Sequence, residues 1–466
     1  MTRPLIILGV DGLDWEFVDD HRDALPTLSR WPSLRPLRSI FPPDSIPAWT
    51  TIFTGVGPAE HGCLDAIDYL DDAPGKATDD AAQRLPGNTF WDEASRRGLK
   101  VCVVNPFMAY PAWDVNGLMV SGPVFVDGTL SVTGAAPDEL PEAPELGGIV
   151  TFPTRDTIGP FVEETLAETR AQAEFGLELL QRDSVDLFFM NILTIDRLQH
   201  FVWRFIDPTD PTYPGPNDHE DSALRGYQAI DEIAARFEEH GHVVILSDHG
   251  HGMRCRRMLY VDEVLRRAGL VAVPESPTAR LKSYVLERAK KSVLRTVYEI
   301  GREEEAYKLA RRLPNRKSLK YSSFSSSESR STARVSRTFG RNQHSGVEVL
   351  HDTPENRAAV RRALEAVRDP QTGEGVFEWI HDREDVVDGA RIDRYPEILF
   401  RMKDGYGVDF GLYGGLFGPD VNHRRISGGH KRDGVFASSA PVDAPASIEE
   451  FYDFVVSRFA RADSPR

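Results

Sequence analysis

Short apolar runs recur along the chain, at Leu5–Val10, Lys100–Asn105, Asp186–Leu193 and His242–Leu246, and helical patterns such as Phe161–Leu180 and Ser222–Phe237 separate them. Runs of this length suit strands buried on both faces. Their alternation with helices predicts an α/β fold on a mostly parallel sheet, covered on each side. Ligands of such sheets collect at the carboxyl ends of the strands. Attention therefore falls on Asp11, the region of Asn105, the stretch after Leu193, and Asp248-His249.

Composition narrows the classes. A length of 466 residues allows two to four domains, although large α/β enzymes place as much chain on one sheet. The net charge of -17 argues against a nucleic-acid binder acting through its overall field. Cys63, Cys102 and Cys255 form no C-x-x-C pair, so neither a disulfide framework nor a thiolate zinc site is expected, and a reducing compartment is. The apolar stretch Leu5–Val10 is too short for a signal sequence, and no apolar run approaches the ~20 residues of a membrane span. A cytoplasmic protein without a transmembrane segment is expected; the sequence sets no oligomeric state.

The stretch from Arg280 to Arg341 differs in composition, with 17 basic and 6 acidic residues, so a +11 segment sits in a −28 body. Its first half has helical apolar spacing and its second half, around Tyr321–Arg330, is rich in serine. We expect a basic helical and Ser-rich insertion, or cap, over 271–345, with 1–270 and 346–466 forming one discontinuous catalytic domain.

Chemistry concentrates in a few motifs. In Phe41–Gly55, Pro47 suits the first turn of a helix and places the Ser45 hydroxyl at its N-terminus, where the helix dipole favours an anion such as phosphate. An ordinary N-cap is the other reading of Ser45. Asp11 ends the first strand, and Asp248-His249-Gly250 follows another. Asp196 and His200 are spaced i, i+4, which puts both on one helical face within reach of one ion. His430 lies in the glycine-rich loop Gly428–Gly434.

Taken in order, these three Asp, three His and one hydroxyl make the sequence resemble the alkaline phosphatase superfamily. Within it, the type I phosphodiesterase/nucleotide pyrophosphatase branch fits best, nearest a bacterial and archaeal group described as predicted phosphohydrolases or phosphomutases. The resemblance is carried by Ile6–Asp14, Pro43–Gly62, Thr89–Asp92, Val103–Pro111, Asp196–Trp203, Ser247–Gly252 and Gly429–Phe436. It implies a three-layer alkaline-phosphatase-like sandwich and two divalent ions. Asp196, His200 and His430 would hold one ion, and Asp11, Asp248 and His249 the other, with Ser45 as the nucleophile.

Nitrogen and carboxylate donors without thiolate suit zinc, with manganese or iron as alternatives. Two +2 ions against three carboxylates leave a formal +1, which attracts phosphate despite the acidic total. The implied activity is a metal-dependent phosphohydrolase cleaving a phosphodiester or phosphomonoester of a small metabolite, a nucleotide or similar, through a phosphoseryl intermediate. The alternatives are a phosphomutase or phosphotransferase with the same intermediate, and a non-catalytic anion binder using the basic insertion. Sulfatase chemistry is disfavoured, since Trp49 stands where that signature has Arg.

Neighbouring residues have plainer readings. Asp14, Asp44, His61 and His251 are expected in exposed, capping or packing roles. Thr50, Thr51, Trp91 and Tyr110 are expected to pack, and Asn105 and Asn191 to hydrogen-bond locally. Arg197, Lys431 and Arg432 are read equally as solvated charges or as phosphate contacts.

Overall fold

The computed structural model describes residues 3–64, 84–124, 129–146, 153, 157–273, parts of 281–302, 331–336, 343–420 and 423–459. The chain divides into two compact units. One comprises Met1–Pro153, Thr157–Gly252 and Gly428–Arg466, the other Thr154–Asp156 and Met253–Ser427.

In the first unit the strands are Leu5–Val10 (β1), Ser33–Arg38 (β2), Val101–Val104 (β3), Gly117–Ser121 (β4), Ser131–Thr133 (β5), Leu187–Ile192 (β6), His242–Leu246 (β7), Gly250–Met253 (β8), Gly428–Lys431 (β16) and Asp433–Ser438 (β17). Eight of them form one sheet in the order β2-β17-β7-β1-β6-β3-β4-β5. The pairs of β1 with β6 and β7, and of β3 with β4 and β6, are parallel; β17 runs antiparallel between β7 and the edge strand β2, and β5 is an antiparallel edge beside β4.

Alternate side chains of the central strands enter different cores, as the pleat requires. Ile7, Val103, Phe189 and Val244 pack against the helices Ser45–Thr54, Phe90–Arg96 and Phe451–Phe459. Ile6, Leu8, Phe188 and Ile245 pack against Ile158–Arg182 and Ser222–Glu238. The expected mostly parallel sheet between two helical layers is therefore present.

Register explains why one end of this sheet matters. Val10 lies opposite Ile192 and Gly9 opposite Leu246, so β1, β6 and β7 end level with one another. Asp11, the helix Thr194–Ile206 and Ser247-Asp248-His249 all leave the sheet at that edge. Strand β17 runs antiparallel to β7, with Phe436 opposite Leu246, and so begins where β7 ends. The preceding strand β16 pairs with β8 and brings His430 to the same edge.

The second unit has its own core around Leu259, Val347, Val360, Ile398 and Phe400. Its strands Arg257–Tyr260 (β9), Ala333–Val335 (β10), His344–Val349 (β11), Phe377–Asp382 (β12), Ile398–Met402 (β13), Tyr406–Asp409 (β14) and Phe417–Pro419 (β15) form the sheets β10-β11-β13-β12 and β14-β9-β15. The compact division thus falls at other positions than the composition shift, because β9 and β11 to β15 bury ordinary apolar residues on both sides of the basic stretch. Of the basic insertion, 271–273, parts of 281–302, 331–336 with β10, and 343–345 are described, and the rest lies outside the described residues.

Candidate metal centre

Two clusters form at the carboxyl edge of the large sheet. In the first, potential ligand atoms of Asp11, Asp248 and His249 lie within 4.8 Å of one another, and all three residues are buried. His249 Nε2 is 3.6 Å from Asp11 Oδ1 and 3.3 Å from Asp248 Oδ2. In the second, Asp196, His200, His251 and His430 converge to the same limit. Asp196 and His200 share one face of their helix as their spacing predicts, with Oδ2 and Nε2 3.2 Å apart. The clusters adjoin, since the rings of His249 and His430 stack with centroids 3.9 Å apart.

Ser45 stands beside the first cluster. Its Oγ is 3.3 Å from Asp11 Oδ1 and 3.1 Å from His249 Nε2. The helix Ser45–Thr54 is capped by Asp44, whose side chain accepts the Ile46 N–H. Ser45 is therefore the first helical residue, and its hydroxyl is not the cap.

The loops that carry the ligands are held by hydrogen bonds. Gly12 N–H donates to Asp248 Oδ1 at 3.2 Å, and Leu13 N–H to Ser247 Oγ at 2.8 Å. Gln199 donates to the Gly12 carbonyl at 2.7 Å and accepts from Tyr227 Oη at 2.9 Å. Gly12 sits at φ +74°, a left-handed conformation suited to glycine, with Asp196 packed over it.

Backbone carbonyls orient three imidazoles. His249 Nδ1 donates to Gly250 O at 3.0 Å, His430 Nδ1 to Pro43 O at 3.0 Å, and His200 Nδ1 to Gly428 O at 3.3 Å. In the neutral ring this leaves Nε2 as a lone pair. The Nε2 atoms of His200 and His430 then face each other at 3.2 Å, and both face Asp196. Asp196 Oδ1 and Asp248 Oδ2 are buried without a hydrogen-bond partner.

Electrostatics shows the same excess of electron pairs. Burial, and then the charges of Asp248 and Asp196, push the Asp11 carboxyl well above the usual carboxylate range. Burial and Asp196 do the same to Asp248. Burial acts on Asp196 too, but the imidazoles of His200, His430 and His251 outweigh it and hold that carboxyl well below its ordinary value. Burial lowers His249 to about 4 and His430 well below the usual imidazole range. Carboxylates and imidazole lone pairs crowded into a buried space are what divalent cations of the oxygen- and nitrogen-liking kind require.

All seven residues singled out in the sequence meet at this edge. His251 joins them from strand β8, two residues after His249, although it was expected only to be exposed, to cap or to pack. Trp49 was noted only as a departure from the sulfatase signature, yet its indole donates to Asp11 Oδ2 at 3.0 Å. Other neighbours have local partners. Asp14 caps the helix Trp15–Asp20, Thr50 bonds the Ile46 carbonyl, and Thr51 bonds His61. Trp91 is buried in the core and Tyr110 donates to Thr129 O. Asn105 Nδ2 reaches the Asn191 carbonyl at 3.5 Å, and Asn191 Oδ1 accepts the Phe107 N–H at 3.0 Å. Arg197 pairs with Glu168 and Lys431 with Glu16.

Comparison with known proteins agrees with this layout. The family model described as type I phosphodiesterase / nucleotide pyrophosphatase matches residues 5–423. That span holds every residue of the clusters except His430. A sequence search of curated proteins returned no match. Among solved structures, phosphonoacetate hydrolase from Sinorhizobium meliloti 1021 superposes with TM-scores of 0.56 in complex with phosphonoformate and 0.57 in complex with phosphonoacetate. In both cases identity is 14%, and the match covers 98% of this chain and 96% of that chain. The chain belongs to the type I phosphodiesterase/nucleotide pyrophosphatase family, and is a phosphoester hydrolase of the alkaline phosphatase superfamily.

Proposed function

We propose that the protein is a binuclear metal-dependent phosphohydrolase that cleaves a phosphodiester or phosphomonoester of a small metabolite through a phosphoseryl intermediate. The observation that carries the reading is the position of Ser45, whose Oγ meets Asp11 Oδ1 and His249 Nε2 at the positive end of a helix capped by another residue. Asp11, Asp248 and His249 would hold one ion, and Asp196, His200 and His430 the other. The unpartnered oxygens of Asp196 and Asp248 and the facing Nε2 atoms fit such ions, with zinc favoured and manganese or iron as alternatives. When bound, paired divalent ions supply positive charge that favours ionisation of a hydroxyl and stabilises charge on phosphate oxygens.

The residues of the chain do the rest. Ser45 Oγ attacks phosphorus in line, and its new O–P bond forms as the bond to the leaving oxygen breaks. The helix Ser45–Thr54 points its positive end at the phosphoryl oxygens. Water then cleaves the phosphoseryl bond and restores the hydroxyl. Among the described residues no helix is long and apolar enough to cross a membrane; the location proposed is the cytoplasm, where cysteines such as Cys63, Cys102 and Cys255 stay outside disulfides.

Ser45→Ala tests the nucleophile, with bis-aryl and mono-aryl phosphates as substrates and the metal content measured in parallel. Turnover is expected to fall by orders of magnitude with both ions retained. Near-wild-type turnover on every ester, with metals bound, would overturn the role of Ser45.

A further inference from the structure

We propose that His251 is a positioning residue for Asp196 and not a fourth ligand in its cluster, because the indole of Trp203 dictates which of its ring nitrogens carries the proton. The inference rests on the reading of Asp196 as a metal ligand.

By distance alone His251 qualifies as a ligand, since its Nε2 lies 3.4 Å from Asp196 Oδ1 and it converges with Asp196, His200 and His430. Its hydrogen bonding differs from that of the other imidazoles. His200, His249 and His430 each direct Nδ1 at a backbone carbonyl, which accepts a proton and leaves Nε2 as a lone pair. The Nδ1 of His251 instead faces Trp203 Nε1 at 2.9 Å. An indole nitrogen only donates, so His251 Nδ1 must accept. The two rings are coplanar to within 3°, as an in-plane bond to that lone pair requires.

A neutral imidazole that accepts at Nδ1 carries its proton on Nε2. The Nε2 so protonated lies 3.4 Å from Asp196 Oδ1; both atoms are buried without a hydrogen-bond partner, which leaves each to serve the other. The opposite tautomer would present a lone pair to an ion, but it would also set two N–H groups against each other across 2.9 Å. The backbone around the pair opposes rearrangement. The His251 N–H donates to Asp14 Oδ2 at 3.2 Å, and a Cβ at Gly428 would lie 2.5 Å from both His251 Cε1 and Trp203 Cδ1. The bond from Trp203 thus fixes the direction in which His251 can serve Asp196, as an outer group that orients the carboxylate.

The test compares His251→Gln, whose amide can still donate to Asp196, with His251→Leu, which cannot. Metal stoichiometry, affinity by competition with a chromophoric chelator, and the visible spectrum of the cobalt(II)-loaded protein are measured for each. Two ions per chain and a wild-type cobalt spectrum are expected for His251→Gln. His251→Leu is expected to bind one ion about 10–100-fold more weakly. Loss of an ion or a shifted cobalt spectrum in His251→Gln, with two ions in the wild type, would overturn the positioning role alone; so would wild-type affinity in His251→Leu. A wild-type protein that takes up no divalent ion would overturn the binuclear reading and this inference with it. If the variants do not fold, the ¹⁵N shifts of the histidine-labelled, zinc-loaded wild type decide. A ring with protonated Nε2 and hydrogen-bonded, unprotonated Nδ1 supports the positioning role, and zinc-coordinated Nε2 on every cluster imidazole refutes it.

Discussion

Trp49 donates its indole N–H to Asp11 Oδ2 across 3.0 Å, while Ser45, one turn earlier on the same helix, sits 3.3 Å from the other oxygen of that carboxylate. One helix therefore sets both the orientation of Asp11 and the place of the hydroxyl. Trp49→Phe keeps an aromatic ring in the core while removing the donor and part of the indole's buried volume. Affinity for divalent ions is expected to fall about 10–100-fold, measured by chelator competition. Unchanged affinity would show that the indole bond does not orient Asp11.

Metal removal should be visible in stability. Asp11, Asp196 and Asp248 are gathered in one buried space with lone pairs facing them. Ions that bind only the folded chain add about 2.7 kcal/mol at a free concentration about 100 times Kd. Calorimetry is expected to show a lower Tm after exhaustive chelation and recovery on adding zinc or manganese. A Tm indifferent to both treatments would contradict the metal reading.

Asp14 introduces a pH dependence of known sign. Burial pushes its carboxyl up to about 6, against a smaller opposing influence of Lys431. Between its unfolded value and about 6, the folded chain holds more protons than the unfolded one, so stability is lost as pH rises through that window. The loss is on the order of 2–3 kcal/mol. Asn at this position keeps one acceptor and loses the other, since the Phe17 and His251 N–H groups bond different oxygens of Asp14; that loss does not depend on pH. In urea titrations Asp14→Asn is expected to gain stability relative to wild type as pH rises from 4 to 6, and to hold a constant difference above it. A constant difference from pH 4 to pH 7 would refute the raised carboxyl.

Gly12 joins the two clusters through the backbone. At φ +74°, a Cβ would lie 2.9 Å from Asp196 Cβ and 3.0 Å from its Oδ1. Gly12→Ala is expected to cost about 1–2 kcal/mol in left-handed strain alone, and to weaken metal binding by displacing Asp196. Unfolding curves and chelator competition measure the two effects separately; wild-type values in both would show that the loop yields without cost.

Much of the site was legible in the sequence because its parts are local. Apolar runs ending at Val10, Leu193 and Leu246 marked strand ends to within a residue, and the i, i+4 spacing put Asp196 and His200 on one helical face. The order of the motifs then carried the family. The positions of Trp49 and Trp203 had no local signal, since their bonds run to residues 38 and 48 positions away. His251 looked like any histidine beside a motif. The second compact unit was only partly visible, because a shift in charge marks solvent-facing residues and says little about which apolar residues share a core.

By itself, then, the sequence determined the alternating architecture, the helix that presents Ser45, and the donors able to meet at one sheet edge. Those properties depend on periodicity, capping and side-chain chemistry, which act over a few residues. Tertiary structure decided which atoms meet, that Asp44 and not Ser45 caps the helix, and which nitrogen of each imidazole faces the carboxylates. Those outcomes depend on strand register and on hydrogen bonds between distant segments, and exist only once the sheet has brought its ends level.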